Sequence, residues 1–321
     1  MTESSSSSNA PPLGRYLAST DKKTRDKAIK NLSLFLSDSS RDTLSKSEMA
    51  RLWKGIFYCF WMSDKPLVQQ ALASELAGIL LSVSTPSVAL AFLRGFWEAT
   101  VREWTSIDRL RIDKYYMLIR RFVNASFRLL MRTGWDGAAC DEYNSILTVR
   151  GGPLCSDDIR VPSSLSYHLA DIYLEELDKA YDNPPESSSL PAPLSTLLSP
   201  FFTLSARAST NVTYHRIESS LLDPLFAALK PLQADDEPPS RKRPRLTMPT
   251  YSNLVANACL SDPASEGAID RANLRKALLR RMFDVASEQD TRDANRRKMY
   301  ALWKSNMEED DSTSGTEVDG S

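Results

Sequence analysis

Apolar residues recur at helical spacing along nearly the whole chain, and that period limits the fold more than any other feature. Ala28, Ile29, Leu32, Phe35 and Leu36 fall at i, i+1, i+4, i+7 and i+8. Met49, Leu52, Trp53, Ile56, Phe57 and Phe60 repeat the pattern, as do Val68, Leu72, Leu76, Ile79 and Val83, and then Val88, Phe92, Phe96 and Ala99. Each set gathers one apolar face on a helix, which must be covered by another helix. A longer helix is expected over 107–132, with Gly134 placed to end it. Strand signals are weak, and only 11 glycines occur in 321 residues. The turn Gly151-Gly152-Pro153 is an isolated breaker rather than a phosphate-binding loop. The expectation is an all-α fold of stacked helical hairpins. The first four helices form pairs of roughly 40 residues, the size of a HEAT- or armadillo-like unit, and an irregular α-solenoid or single irregular helical domain is the alternative.

Punctuation residues divide the chain. Pro66 and Pro86 suit first helical turns, and Ser45, Ser47 and Asp108 suit caps. Pro184, Pro185, Pro191, Pro193, Pro200 and Pro224 limit helix length in the middle, where helices are expected over 163–181, 194–205 and 212–229. The expected organisation is a disordered N-terminus over 1–12 and a helical repeat-like domain over 13–230. A Pro-rich charged loop follows over 231–249, then C-terminal helices over 250–305 packed on the same domain, and an acidic disordered tail over 306–321.

The formal net charge is -1, but the charges are segregated. Residues 102–132 carry eight Lys/Arg against three Asp/Glu, residues 136–187 three against eleven, and residues 270–304 ten against five. A near-neutral total therefore does not argue against an anionic partner. The cysteines (59, 140, 155, 259) lack the paired spacing of a structural zinc site, and only His168 and His215 are present. They read as reduced, buried thiols of a soluble intracellular protein. No run approaches the roughly 20 apolar residues of a membrane span. His168, Asp171, Glu175 and Glu176 share one helix, where a solvated acidic face outweighs a metal-assisted catalytic site. The sequence points to no catalytic centre, cofactor or metal site.

Function is therefore sought on surfaces. Lys22, Lys23, Lys27 and Lys30, with Asp26, lie opposite the apolar stripe of the first helix, where phosphate contact and an ordinary solvated face are both open. Near the other end, Met299, Leu302 and Trp303 make an apolar stripe preceded by Arg292, Asn295 and Arg296. Arg292 and Arg296 are expected to clamp the acidic stretch 136–187, Arg296 also to stack on Tyr300, and Arg297 and Lys298 to make an external contact. In the helix around residue 57, Trp53, Ile56, Phe57 and Phe60 suit the core. Tyr58, Trp61 and Met62 are candidates for a protein partner, although burial of all of them between neighbouring helices is the simpler reading. Arg241, Lys242, Arg243 and Arg245 form a compact basic cluster in the Pro-rich loop that reads as a nuclear import signal.

Four blocks, DKKTRDKAIKNLSLFLS (21–37), LWKGIFYCFWMSDKPLVQQ (52–70), RIDKYYMLIRRFV (111–123) and TRDANRRKMYALWK (291–304), resemble the ribosomal RNA-processing protein 1 family of nucleolar proteins. The resemblance runs from about residue 13 to 304. It implies an all-helical, non-enzymatic assembly factor of the nucleus and nucleolus, acting in large-subunit ribosome biogenesis. Its implied partners are the pre-ribosomal large-subunit particle, other nucleolar assembly factors and pre-rRNA, with the basic helices and the aromatic block as contact surfaces. The basic cluster at 241–245 lies outside the matching blocks. Some animal relatives carry long basic C-terminal extensions where this sequence turns acidic, so an activity residing there is not carried over. The alternatives are a nuclear protein–protein adaptor without direct RNA contact, a metal-dependent nuclease and a cytoplasmic trafficking adaptor.

Overall fold

A computed structural model describes residues 16, 19, 21–38, 44–182, 184, 190–231 and 251–314. The fold is all-α, as the periodicity predicts. The chain divides into two compact units, Met1–Ala125 and Ser126–Ser321. The expected N-terminal disorder, most of the Pro-rich loop and residues 315–321 lie outside the described residues.

In the first unit, α1 (Lys22–Ser37) begins where Asp21 accepts the Thr24 amide at 2.9 Å. The α2 helix (Lys46–Trp61) opens with a capping box: Glu48 N–H donates to Ser45 Oγ, and Ser45 N–H to Glu48 Oε2. Both α3 (Pro66–Ser82) and α4 (Pro86–Glu103) start on proline, whose missing N–H costs nothing there. A 3₁₀ turn (Trp104–Ser106) leads to α5 (Ile112–Arg132). This helix starts later than the expected residue 107 because the Asp108 carboxylate accepts the amides of Leu110 and Arg111, holding a turn. α1 packs on α3, α2 on α4, and α3 on α4, the layering of two stacked hairpins.

The centre of this unit is Trp53. Its ring meets Phe92, Phe96 and Phe122 at centroid distances of 4.5, 5.4 and 5.7 Å, and its indole N–H donates to the Phe92 carbonyl. Gly95 makes this possible: a Cβ there would stand 2.6 Å from Trp53 Nε1 and 2.8 Å from Met49 Cγ. Phe35, assigned to the apolar stripe of α1 by spacing, is exposed, and Leu32 and Leu36 fill the core instead. At the C-terminal end of α5, Gly134 takes φ +66, a left-handed conformation that ends the helix.

The second unit contains α6 (Gly137–Thr148), α7 (Ser163–Ala180) and α8 (Leu194–Arg207). Then α9 (Asn211–Ile217) runs through a π-helical segment (Glu218–Leu222) into α10 (Asp223–Ala228). α11 (Ser252–Ala256), α12 (Pro263–Glu266), α13 (Arg271–Ser287) and α14 (Asp293–Ser314) follow. A two-residue parallel pair, Ala192–Pro193 with Cys259 opposite Pro193, ties the start of α8 to the chain after α11. Pro200 lies inside α8, within the helix expected over 194–205. The Thr196 carbonyl, which its absent N–H would have engaged, accepts Asn144 Nδ2 at 2.8 Å instead. At Pro224 the missing donor is absorbed by the wider π turn, in which Asp223 N–H reaches Glu218 O.

α7 sits at the core, where Tyr173 packs edge-on against Phe127 and Phe201 and donates its hydroxyl proton to the Leu197 carbonyl. α13 and α14 pack on each other and on α8. Arg275 is fully buried between them. It donates to the Phe226 and Asn306 carbonyls and, at 2.7 Å, to Asn306 Oδ1. α14 runs beyond Lys304, where the sequence suggested it would stop, to Ser314, and Asn306 on this extension is held by that anchor.

Candidate interaction surfaces

The basic face of α1 forms as its spacing predicts. Lys23, Lys27 and Lys30 are exposed, and Lys22 is the first residue of the helix. Lys23, Lys27 and Lys30 hold no ion pair among the described residues. Arg25, on the same helix, is buried and donates to the Ser19 carbonyl at 2.9 Å. A basic residue at helical spacing thus leaves the surface when its carbon stem is needed for packing.

On α2 the three aromatic-block candidates separate. Tyr58 and Met62 are 46% and 68% exposed. Trp61 is half-buried: its ring lies 5.1 Å from the Arg111 guanidinium and near Phe57 and Tyr115. Below it, buried Lys114 donates to the carbonyls of Trp61 and Ser63, closing the end of α2. Burial lowers the Lys114 pKa from the usual lysine value. Arg51 and Lys54 escaped the sequence reading. They are exposed and share with Tyr58 and Met62 a stripe spaced 51, 54, 58, 62. That spacing was readable, but only the structure shows which side of this largely apolar helix is uncovered. Beside Met62, an apolar groove of ≈ 420 Å³ runs past Arg25, Cys59, Val68 and Leu67, the last 79% exposed.

In the second unit, the clamp expected between Arg296 and residues 136–187 does not form. Arg296 donates to the Ala286, Glu288 and Thr291 carbonyls and pairs with Asp293 at 3.2 Å. It closes the C-terminal end of α13, where carbonyls lack helical partners and the macrodipole favours a cation. Tyr300 stacks on Phe283, at 4.8 Å, and its hydroxyl meets Ser287. Asn295 Nδ2 reaches the Ala206 and Ala208 carbonyls at the end of α8. Half-buried Lys298 donates to exposed Asn211 Oδ1 and lies 4.8 Å from the Tyr214 ring centroid. Arg297 is exposed. The import-like residues Arg241, Lys242, Arg243 and Arg245 lie outside the described residues.

The carboxylates of α7 act as ion-pair partners. Asp171 binds Arg216 at 2.7 Å, and Glu175 and Glu176 meet Lys179. His215 pairs with Glu218 at 2.8 Å. Among the described residues, no group of three or more His, Cys, Asp or Glu is placed to hold a metal. Cys59, Cys140 and Cys259 are buried, which pushes each thiol up to about 12, away from the reactive thiolate form. A polar pocket of ≈ 350 Å³ between α6 and α8 is lined by Asp141, Asp157, Ser199, Thr203 and Arg207, with Arg207 held by Asp290 at 2.6 Å. No helix of the described residues is long and apolar enough to cross a membrane.

These features define an all-α protein whose organised candidate sites are exposed basic and aromatic helix faces. The family described as "Nucleolar protein, Nop52" matches residues 8–302. The chain belongs to that family, and its place is the nucleolus. It is 39% identical over 170 residues to the human "Ribosomal RNA processing protein 1 homolog B", which covers 52% of this chain and 22% of that protein. It is 32% identical over 228 residues to the Mus musculus "Ribosomal RNA processing protein 1 homolog A", covering 70% and 44%. The human homolog A is 26% identical over 323 residues, covering 90% and 68%. The chain thus spans less than half the length of the first two of these relatives.

Proposed function

We propose that the chain is a non-catalytic assembly factor of large-subunit ribosome biogenesis. It binds pre-ribosomal particles through preformed helix faces and keeps immature rRNA in an arrangement that separate nucleases process. The observation that carries this reading is the family match across 8–302, joined to exposed cations on an all-α framework. Relatives named for ribosomal RNA processing agree with it. Lys23, Lys27 and Lys30 on α1 neutralise phosphates, and Arg51 and Lys54 extend the positive field on α2. Tyr58 and Met62, beside the apolar groove and exposed Leu67, face a protein partner. This last observation also favours the second reading, an adaptor that touches only protein.

Depleting the chain from cells should accumulate large-subunit rRNA precursors, and the tagged protein should co-sediment with large pre-ribosomal particles. Normal precursor levels together with no co-sedimentation would refute the assignment. Crosslinks from Lys23–Lys30 to RNA separate the first reading from the adaptor. Purified protein incubated with pre-rRNA and Mg²⁺ should leave it intact; cleavage lost on Asp171→Asn would show catalysis.

A further inference from the structure

The outer face of the α13/α14 hairpin has a composition that its core does not require. Phe283 stands between Tyr300, at 4.8 Å and 30°, and Trp303, at 5.0 Å and 52°. All three rings are half-buried, whereas Leu278, Met282, Met299 and Leu302 on the inner side are buried. The apolar seam therefore continues out of the core onto the surface as aromatic rings.

Cations frame it. The Arg280 guanidinium carbon lies 5.5 Å from the Phe283 ring centroid, and exposed Lys276 is one turn earlier. On α14, exposed Arg297 and Lys304 flank Tyr300 and Trp303. Two of the four have local carboxylates: Arg280 with Asp284 at 3.2 Å and Lys304 with Glu308 at 3.6 Å. Both pairs are largely exposed, so they are weakly held and open to exchange for phosphate. Lys276 and Arg297 hold no ion pair among the described residues.

We propose that this face binds single-stranded RNA, with bases stacked on the Phe283–Tyr300–Trp303 cluster and phosphates on Lys276, Arg280, Arg297 and Lys304. The inference rests on the ribosome-assembly reading and gives one RNA contact a place and a strand preference. Aromatic rings set among cations suit unpaired bases, because every base offers a π-face while the phosphates follow the positive rim. Duplex RNA buries its bases in the stack and leaves the rings without a partner. An acidic peptide would satisfy the cations alone.

The test uses the full chain and a fluorescein-labelled 15-nucleotide oligo(A), followed by anisotropy. Duplex RNA of equal length and polyglutamate serve as competitors. Single strand should compete best, and UV crosslinks should fall within residues 276–307. Trp303→Ala should weaken binding about tenfold, and Trp303→Phe should restore most of it. The surface variant Lys276→Gln/Arg280→Gln should reduce the dependence of log affinity on log salt by about 1.4. Circular dichroism checks that each variant stays folded, and the double variant carries the test if Trp303→Ala does not. Equal competition by polyglutamate or duplex, indifference to both Trp303→Ala and the double variant, or no binding at all overturns the stacking site. If particles still contain the chain after such a result, the assembly reading stands without this surface. If the unaltered chain does not join particles, that reading falls on its own.

Discussion

The two units build their centres by different means. In the first, shape dominates: Trp53 enters a space that exists only because residue 95 has no Cβ, and Phe92, Phe96 and Phe122 close around it. Phe96 and Phe122 stack at 3.9 Å and 7°. In the second, helix ends are joined by polar side chains. Arg275 binds carbonyls of α10 and α14, Asn295 closes α8, Arg296 closes α13, and Asn144 takes the carbonyl released by Pro200. Buried backbone acceptors need partners, and short, proline-interrupted helices expose more of them than long ones do. The same difference sorts the cations. On α1, Lys23, Lys27 and Lys30 stay on the surface, whereas on α13 and α14 Arg275, Arg296 and Lys298 are used within the protein. Lys and Arg density alone therefore does not mark a contact surface; within one helix, free carbonyls draw some cations inward and leave Lys276, Arg280, Arg297 and Lys304 exposed.

The largest test of the contrast is Arg275→Ala. It strands two carbonyls and the Asn306 side-chain oxygen and opens a void, so a loss of about 3 kcal/mol is expected. Hydrogen exchange should rise in α13 and α14 while α2 and α4 stay protected. Uniform deprotection of both units would break the comparison. Gly95→Ala should cost about 1–3 kcal/mol by overpacking against Trp53 and Met49. Its exchange signature should be the reverse, with α2 and α4 loosened. Partial recovery by Trp53→Phe in the same chain would confirm that ring size is the cause.

A smaller effect comes from Asp158. This carboxylate is buried under the loop before α7 and bound through both oxygens by Arg160, which holds its pKa well below the ordinary aspartate value. Its contribution is present above the unfolded value, near 4, and is lost as pH falls further toward the folded value. Because Arg160 is largely exposed, the contribution is about 1 kcal/mol. Unfolding midpoints measured between pH 6 and pH 3 should fall less for Asp158→Asn than for the unaltered chain; parallel curves would exclude this origin. The smallest structural effect belongs to Lys23→Gln/Lys27→Gln/Lys30→Gln. Thermal stability should hardly change, while particle association should become less salt-sensitive. A cooperative loss of helix α1 would show that these lysines support the fold instead.

Much of the framework was readable from local chemistry. Ser45, Pro66 and Pro86 mark helix starts through hydrogen-bonding rules that operate within one turn, and Trp53, Ile56, Phe57 and Phe60 follow the period. The surfaces were half readable. Tyr58 and Met62 are exposed as the spacing allowed, but Trp61 is partly covered by Arg111, which is distant in sequence. Phe35 and Leu36 are adjacent residues with equal claim to the core, and only the packing of α1 on α3 decides between them. The Phe283–Tyr300–Trp303 cluster joins two helices, so neither helix alone announces it.

By itself the sequence determined that the chain is helical, where most helices begin, and which stretches carry opposite charge, because capping, proline geometry and the 3.6-residue period act over a few residues. Tertiary structure alone decided which cations remain on the surface, what satisfies the carbonyl that Pro200 frees and how the chain divides into two units. Each of those outcomes depends on whether a carbonyl or an apolar face meets a partner far away along the chain.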